Sequence, residues 1–256
     1  MSGVCMQPRT PSLNVEMLGT VARGLKDLKE KVVFVGGATI DLFILDPAAP
    51  PTRATDDVDC VVEVVERSEY HALEAELRSL GFEHSMSPGS PICRWLFCGI
   101  KVDVMPAEGD VLGFRNRWYR DAVTHAEQVV LPRGERIHVF SAPYLLASKL
   151  EAFRDRGRED FQASPDLEDV VALLDGHPGI EEKIDAAPGD VRQYLKEEFS
   201  RMLADGRFLQ SLEGHLSAGS PVAEGERRSK RCLELIRRIA GPAGTAYGGR
   251  KTEGPS

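Results

Sequence analysis

Val32-Val33-Phe34-Val35-Gly36-Gly37-Ala38, followed downstream by Asp57-Val58-Asp59-Cys60-Val61-Val62, is the stretch on which the fold turns. Its first four residues are β-branched or aromatic, a strand-type run, and paired glycines stop it. Ala38 to Leu45 is apolar at helical spacing, so the order predicted is strand, a turn free of Cβ atoms, then helix. Three prolines between Asp46 and Pro51 demand a loop. From Asp57 to Val65 the residues alternate: Val58, Cys60, Val62 and Val64 share one face, and Asp57, Asp59, Val61 and Glu63 the other. Ile100 to Met105 repeats the design, with Ile100, Val102 and Val104 opposite Lys101, Asp103 and Met105.

Those faces suggest chemistry. Asp57 and Asp59, two positions apart on one strand face, have Cα atoms about 6.5–7 Å from each other. If the two acidic strands are neighbours, Asp103 joins them, and three carboxylates that repel one another are relieved by cations. Hard oxygen donors of this kind select Mg2+ or Mn2+, ions normally shared with nucleotide phosphates. The Gly36-Gly37 turn, at a strand end and a helix mouth, lets backbone N–H groups approach a phosphate. Taken singly, each feature has a plain alternative: a tight turn for the glycines, a turn residue for Asp57, a solvated strand position for Asp59 and an edge charge for Asp103. Their coincidence in this order favours a triphosphate site.

Outward from this centre, Val15 to Leu28 reads as a leading helix and Arg67 to Leu80 as a helix closed by Gly81. Ile92 to Phe97 pairs with Ile100 to Met105 around Cys98-Gly99. Glu127 to Leu131 and Arg136 to Phe140 form a further hairpin through Pro132-Arg133-Gly134-Glu135. Beyond Pro143 only helices are expected, over Tyr144 to Arg154, Pro165 to Leu174, Val191 to Leu203, Phe208 to Leu216 and Arg227 to Ile239. The expected organisation is a mixed α+β core over residues 1–140, a helical domain over 141–240 and a disordered glycine-rich tail over 241–256.

At 256 residues a full core needs no staple. The 32 basic and 40 acidic residues leave a formal charge of −8, which excludes a surface that embraces nucleic acid throughout and leaves room for a local basic patch. Five scattered cysteines, Cys5, Cys60, Cys93, Cys98 and Cys232, have no zinc or redox spacing and read as reduced. No apolar run approaches the ~20 residues of a membrane span, and the N-terminus lacks a signal-type apolar segment, so no membrane partner and a cytoplasmic location are expected.

Gly36-Gly37-Ala38, Arg53-Ala54-Thr55-Asp56-Asp57-Val58-Asp59 and Val102-Asp103-Val104 resemble the signature of the nucleotidyltransferase superfamily whose archetype is DNA polymerase beta. The pattern is most similar to the AbiEii/AbiGii-type abortive-infection nucleotidyltransferase toxins of bacterial type IV toxin–antitoxin systems. It continues in Lys149-Leu150 and Asp166-Leu167-Glu168-Asp169, so the resemblance spans about residues 32 to 175. It implies a nucleotidyltransferase-type mixed β-sheet with flanking helices, and transfer of NMP from an NTP to an acceptor hydroxyl. Asp57, Asp59 and Asp103 would hold Mg2+ or Mn2+ and, with Lys149, form the catalytic set. Gly36, Gly37, Thr55, Lys149, Asp166 and Asp169 would serve the nucleotide. RNA, at a tRNA 3′ end, is the leading acceptor, and a cognate antitoxin is an implied partner.

Lys149 can also be weighed on its own. It falls between Leu145 and Phe153, inside the apolar stripe with Leu146 and Leu150, where it either snorkels over the core or supplies a point charge to phosphates. Asp166 follows the helix start Ser164-Pro165 and either complements the helix dipole or meets the lysine or nucleotide; Asp169 is either an ordinary edge residue or takes that same place on the lysine or nucleotide. Thr55 is either a phosphate-side hydroxyl or a turn cap. Arg115, Arg117 and Arg120 interleave with Trp118 and Tyr119, a mixture able to hold phosphate and stack a base. Arg227, Arg228, Lys230, Arg231, Arg237 and Arg238 crowd a late helix, as an RNA surface or a solvated face opposite Leu233, Ile236 and Ile239. Three other functions stay open: aminoglycoside-type modification, modification of a partner protein, and an inactive nucleotide- or partner-binding module.

Overall fold

A computed structural model describes residues 11–63, 66–108, 116–156, 160–217 and 222–241. The chain opens with α1 (Leu13–Leu25), whose N-cap Ser12 accepts a hydrogen bond from Val15 N. The helix stops three residues short of the expected end because Lys26 takes φ +50°; a 3₁₀ turn, Lys26–Lys31, then buries Leu28 and leaves Lys26 and Lys31 in water. β1 (Val32–Val35) follows with all four residues buried, as a run covered on both faces requires.

The expected helix after the glycines is a 3₁₀ segment, Gly37–Leu42. Gly36 O accepts both Thr39 N (3.2 Å) and Thr39 Oγ1 (2.9 Å), and this i→i+3 closure replaces the α ladder. Leu45 N and Asp46 N then donate to Gly176 O at 2.8 and 3.0 Å, which ties the proline loop to a later helix.

Next come β2 (Asp57–Val62), α2 (Arg67–Ser79), β3 (Glu83–His84), β4 (Arg94–Phe97), β5 (Ile100–Pro106), α3 (Tyr119–Thr124), β6 (Glu127–Val130) and β7 (Arg136–Val139). Among the described residues only helices follow: α4 (Ala142–Arg156), α5 (Pro165–Gly176), α6 (Ile180–Ala186), α7 (Gly189–Leu203), α8 (Gly206–Ser217) and α9 (Val222–Ala240). β2 ends at Val62, and Val64 and Val65, expected to extend it, lie outside the described residues, as does the tail expected after Gly241. β3, α3 and α6 went unforeseen; at two, six and seven residues they are too short to establish a period.

Among the described residues seven strands form one mixed sheet in the order β3-β4-β5-β2-β1-β7-β6. β1 runs antiparallel to β2 and parallel to β7, while β2 and β5 are parallel neighbours. With its flanking helices and C-terminal helical region, the chain is α+β. One apolar cluster runs from Leu18 on α1 through Phe34, Trp95 and Val104 of the sheet to Leu146, Leu173, Phe199 and Ile236 on the later helices. Cys60, Cys93 and Cys232 are buried and Cys98 exposed, all four as free thiols. Among the described residues no helix is long and apolar enough to cross a membrane.

Candidate active site

Strand pairing assembles the acids. Asp59 on β2 stands directly across from Asp103 on β5, with Asp57 two positions back on the same face. Asp57, Asp59 and Asp103 each offer a carboxylate oxygen within 4.8 Å of the others, and Asp103 is only 7% exposed. The convergence expected of three clustered carboxylates therefore occurs, at the floor of a cleft of about 870 Å3. A volume of that order accommodates a nucleotide-sized ligand.

Neither glycine can carry a side chain without displacing a neighbour. Gly36 has φ +81°, and a Cβ there would lie 2.0 Å from Asp59 Oδ2. At Gly37 a Cβ would lie 2.6 Å from both Arg53 Nη2 and Thr55 Cγ2. The turn thus brings backbone against the triad itself on one side and against Arg53 on the other.

The far wall comes from α4 and α5. Lys149 (7% exposed) reaches Asp169 Oδ2 at 2.7 Å and Asp166 Oδ1 at 3.3 Å. Asp169 also accepts two hydrogen bonds from Arg53, each 3.0 Å, and Asp166 two from Arg156, at 2.9 and 3.0 Å. The result is an alternating ladder, Arg53–Asp169–Lys149–Asp166–Arg156, whose three cations all line the cleft. Both acids meet the lysine, as expected of either; Asp166 also lines the cleft, whereas Asp169 lies behind it as a brace between Arg53 and Lys149.

Of the two roles open to Thr55, the structure shows the contacts of a turn cap. Its hydroxyl is turned inward, 3.3 Å from Asn14 Oδ1 and 3.2 Å from Asp57 O, and its N–H donates to Asn14 Oδ1 at 3.0 Å. It caps the entry to β2 and does not line the cleft, because Asn14 on α1 claims both of its polar groups.

Electrostatics follow the packing. Burial, then the neighbouring charge of Asp57, with a smaller push from Asp103, drives the Asp59 carboxyl up to about 7 against the pull of Lys149 and Arg156. Burial works against the Lys149 ammonium, yet Asp169 and Asp166 outweigh it and hold that charge above its ordinary value. Burial also opposes ionised Asp166, but hydrogen bonds from Arg156 and the charge of Lys149 keep its carboxyl below the usual range.

Three cationic cleft residues had no role assigned from the sequence: Arg94, Arg156 and Arg53, the last quoted only as part of the signature. Arg94 Nε and Nη2 donate to the two oxygens of Asp103, each at 2.7 Å, and Nη2 also to Asp57 Oδ2 at 3.1 Å. A signal existed for it. The two-residue turn Cys98-Gly99, both at positive φ, sets the hairpin register so that Arg94 faces Asp103. Arg156 lies seven positions after Lys149 on α4, two turns along one helix face.

Among the described cations of the basic segments expected to meet RNA only Arg228 is buried; Arg117 and Arg120 are exposed, Arg120 beside Glu108. Trp118 is 4% exposed, and Arg117 lies over both Trp118 and Tyr194, at 4.6 and 4.3 Å; Arg115 is outside the described residues. On α9, Arg228 is buried on Asp175 at 2.5 Å; the other five cations are exposed, Arg231 paired with Asp175, Arg238 with Glu181 and Arg227 with Glu224 of its own helix. Three of the six cations, Arg228, Arg231 and Arg238, thus pin the helix to α5 and α6.

Hard carboxylate donors converging at this distance fit Mg2+ or Mn2+. No family model matches the chain, and no curated protein does. Two solved structures from Helicobacter pylori are similar in chain course. One is JHP933, with TM-score 0.46 and 13% identity over 90% of this chain and 94% of that one. The other is described as a candidate nucleotidyltransferase, with TM-score 0.46 and 12% identity over 90% of this chain and 96% of that one. The reading of the site rests on its own geometry.

Proposed function

We propose that this chain is a divalent-metal-dependent nucleotidyltransferase that moves NMP from an NTP to an acceptor hydroxyl, with an RNA 3′ end, that of a tRNA, as the leading acceptor in a toxin-type reaction. The observation that carries the chemistry is the facing of two walls across one cleft. Asp57, Asp59 and Asp103 converge on the sheet side, and the buried Lys149, held charged by Asp166 and Asp169, stands on the helix side.

Asp57, Asp59 and Asp103 would hold Mg2+ or Mn2+, which when bound supplies Lewis-acid charge at the α-phosphate. The remaining work falls to the chain. Lys149 and Arg156 present positive charge to the β- and γ-phosphate oxygens, and Arg53 extends that wall towards the glycine turn. Gly36 and Gly37 leave room for a phosphate beside β1, where any side chain would press on Asp59 or Arg53. The acceptor oxygen attacks the α-phosphorus, its proton passes to the Asp103 carboxylate, and the bond to the departing pyrophosphate breaks, with no covalent enzyme intermediate. The RNA acceptor is supported by the resemblance to toxin-type enzymes.

The test incubates the protein with each α-labelled NTP, Mg2+ and total RNA, beside the Asp57→Ala, Asp59→Ala double variant. Label in RNA that depends on both acids is the expected result. Label entering RNA equally in the variant would remove the mechanism. Label entering a polyamine or a protein instead would keep the chemistry and replace the acceptor.

A further inference from the structure

Arg94 is the residue of the triad's surroundings that the reaction above leaves without a task. β4 places it directly across from Asp103, so its guanidinium lies on the same sheet face as the acids. Its planar fork takes both oxygens of Asp103 and one of Asp57, whereas among the described residues no cation pairs with Asp59. The fork thus places a positive charge on two of the three groups that a divalent ion needs, and it draws them together as an ion would. Mg2+ demands near-ideal octahedral geometry at about 2.0–2.1 Å, closer than any hydrogen bond, so the ion and the fork compete for the same carboxylates. Arg94 also lines the cleft, so a bound triphosphate would offer it oxygens of equal charge a short swing away.

Resting on the metal-site reading above, we propose that Arg94 is the resident counter-ion of the triad, exchanging Asp103 and Asp57 for nucleotide phosphate as the divalent ion loads. Metal binding is then weak in the free protein and tight in the presence of NTP. The fork keeps three acids folded side by side between turnovers and links ion occupancy to substrate occupancy.

The experiment titrates Mn2+ into the full chain and follows the resonance of the free ion, without nucleotide and with the α,β-methylene analogues of ATP, GTP, CTP and UTP in turn. Arg94→Met is compared with Lys101→Met, which removes one positive charge from the position across from Asp57 and leaves the fork intact. Charge-assisted hydrogen bonds of this kind are worth about ten- to hundredfold. Arg94→Met should therefore bind Mn2+ about tenfold tighter or more than the native chain without nucleotide, and Lys101→Met should stay within about threefold. An analogue should tighten Mn2+ binding by the native chain far more than by Arg94→Met. If Arg94→Met proves unfolded by circular dichroism, Arg94→Lys carries the test, because an ammonium cannot fork across two carboxylates and Mn2+ should again bind tighter. Unchanged or weaker Mn2+ binding in the folded variant overturns the exchange and leaves the metal site standing. Failure of both native and variant proteins to bind Mn2+ overturns the metal site itself.

Discussion

Replacing Gly36 with alanine adds a single methyl group, and the structure assigns it a collision. The new Cβ would lie 2.0 Å from Asp59 Oδ2, 2.9 Å from its Cγ and 3.0 Å from its Cβ. Real Cβ contacts do not fall below 3.0 Å, so Oδ2 has to retreat by about 1 Å. Because the obstruction is the end of a side chain, the fold can yield. What remains is the backbone, φ +81° and ψ −169°, a region kept almost entirely to glycine that costs an L-residue about 1–3 kcal/mol, against a typical domain stability of about 5–15 kcal/mol. The ion site cannot yield, since metal–ligand distances tolerate only about 0.2 Å. Gly36→Ala should therefore stay folded and lose Mn2+ affinity by about a hundredfold, with a parallel loss of label transfer. Thermal unfolding by circular dichroism, Mn2+ titration and transfer from α-labelled NTP measure the three quantities. Gly37→Ala is the control: its Cβ meets Arg53 and Thr55, not the triad, so Mn2+ binding should survive and the KM for NTP should rise. A folded Gly36→Ala protein that binds Mn2+ and transfers label like the native one would refute the placement of Asp59 in the site.

Lys149→Met leaves Asp169 with Arg53 and Asp166 with Arg156, so neither acid is stranded. Urea unfolding should register about 1–2 kcal/mol, below the roughly 3–5 kcal/mol of an uncompensated buried charge, while kcat/KM for transfer falls about ten- to hundredfold; a larger stability loss with intact transfer would make the lysine a core-covering group. Arg228→Met removes the main partner of Asp175, whose side chain is 3% exposed, and should cost about 3 kcal/mol in urea with transfer unchanged, since Arg228 does not line the cleft. For pH, the Asp59 carboxyl is raised to about 7 in the fold, above its unfolded value, so between the two the native state binds the extra proton and this group's contribution to stability declines as pH rises. In metal-free buffer Asp59→Asn should accordingly gain stability relative to the native chain from pH 5 to pH 8; a flat difference in denaturant midpoints would contradict the burial of that charge.

Much of the architecture was legible because it depends on patterns along one element. The Val32–Val35 run, the alternation from Asp57, the Cys98-Gly99 turn and the long helices follow from β-branching, period and turn chemistry, and each stands at or near its expected limits. The 3₁₀ segment after Gly36 was misread as α-helix, since apolar spacing is nearly the same for both and Thr39 decides between them by closing on Gly36 O. The tryptophan and arginines around residue 118 were read as an outer surface. Composition cannot tell a stacking platform from an inward one, and Tyr194, on a distant helix, packs against the buried Trp118 while Arg117 covers both rings from the surface.

For the site, the sequence by itself determined which residue types stand on each strand face, because alternation is a local property of the pleat: acids on one side of β2 and β5, aliphatics on the other. Only the tertiary structure decided that β2 and β5 are parallel neighbours with Asp59 opposite Asp103, since nothing local distinguishes one strand order from another. It also decided that Asp169 braces from behind the cleft while Asp166 faces it, and that Thr55 turns towards Asn14. Those choices depend on partners more than a hundred positions away for Asp169 and some forty for Thr55. Arg94 lies between the two cases: hairpin register is local and could have named its partner, but the meeting of that pair with Asp57 required the neighbouring strand.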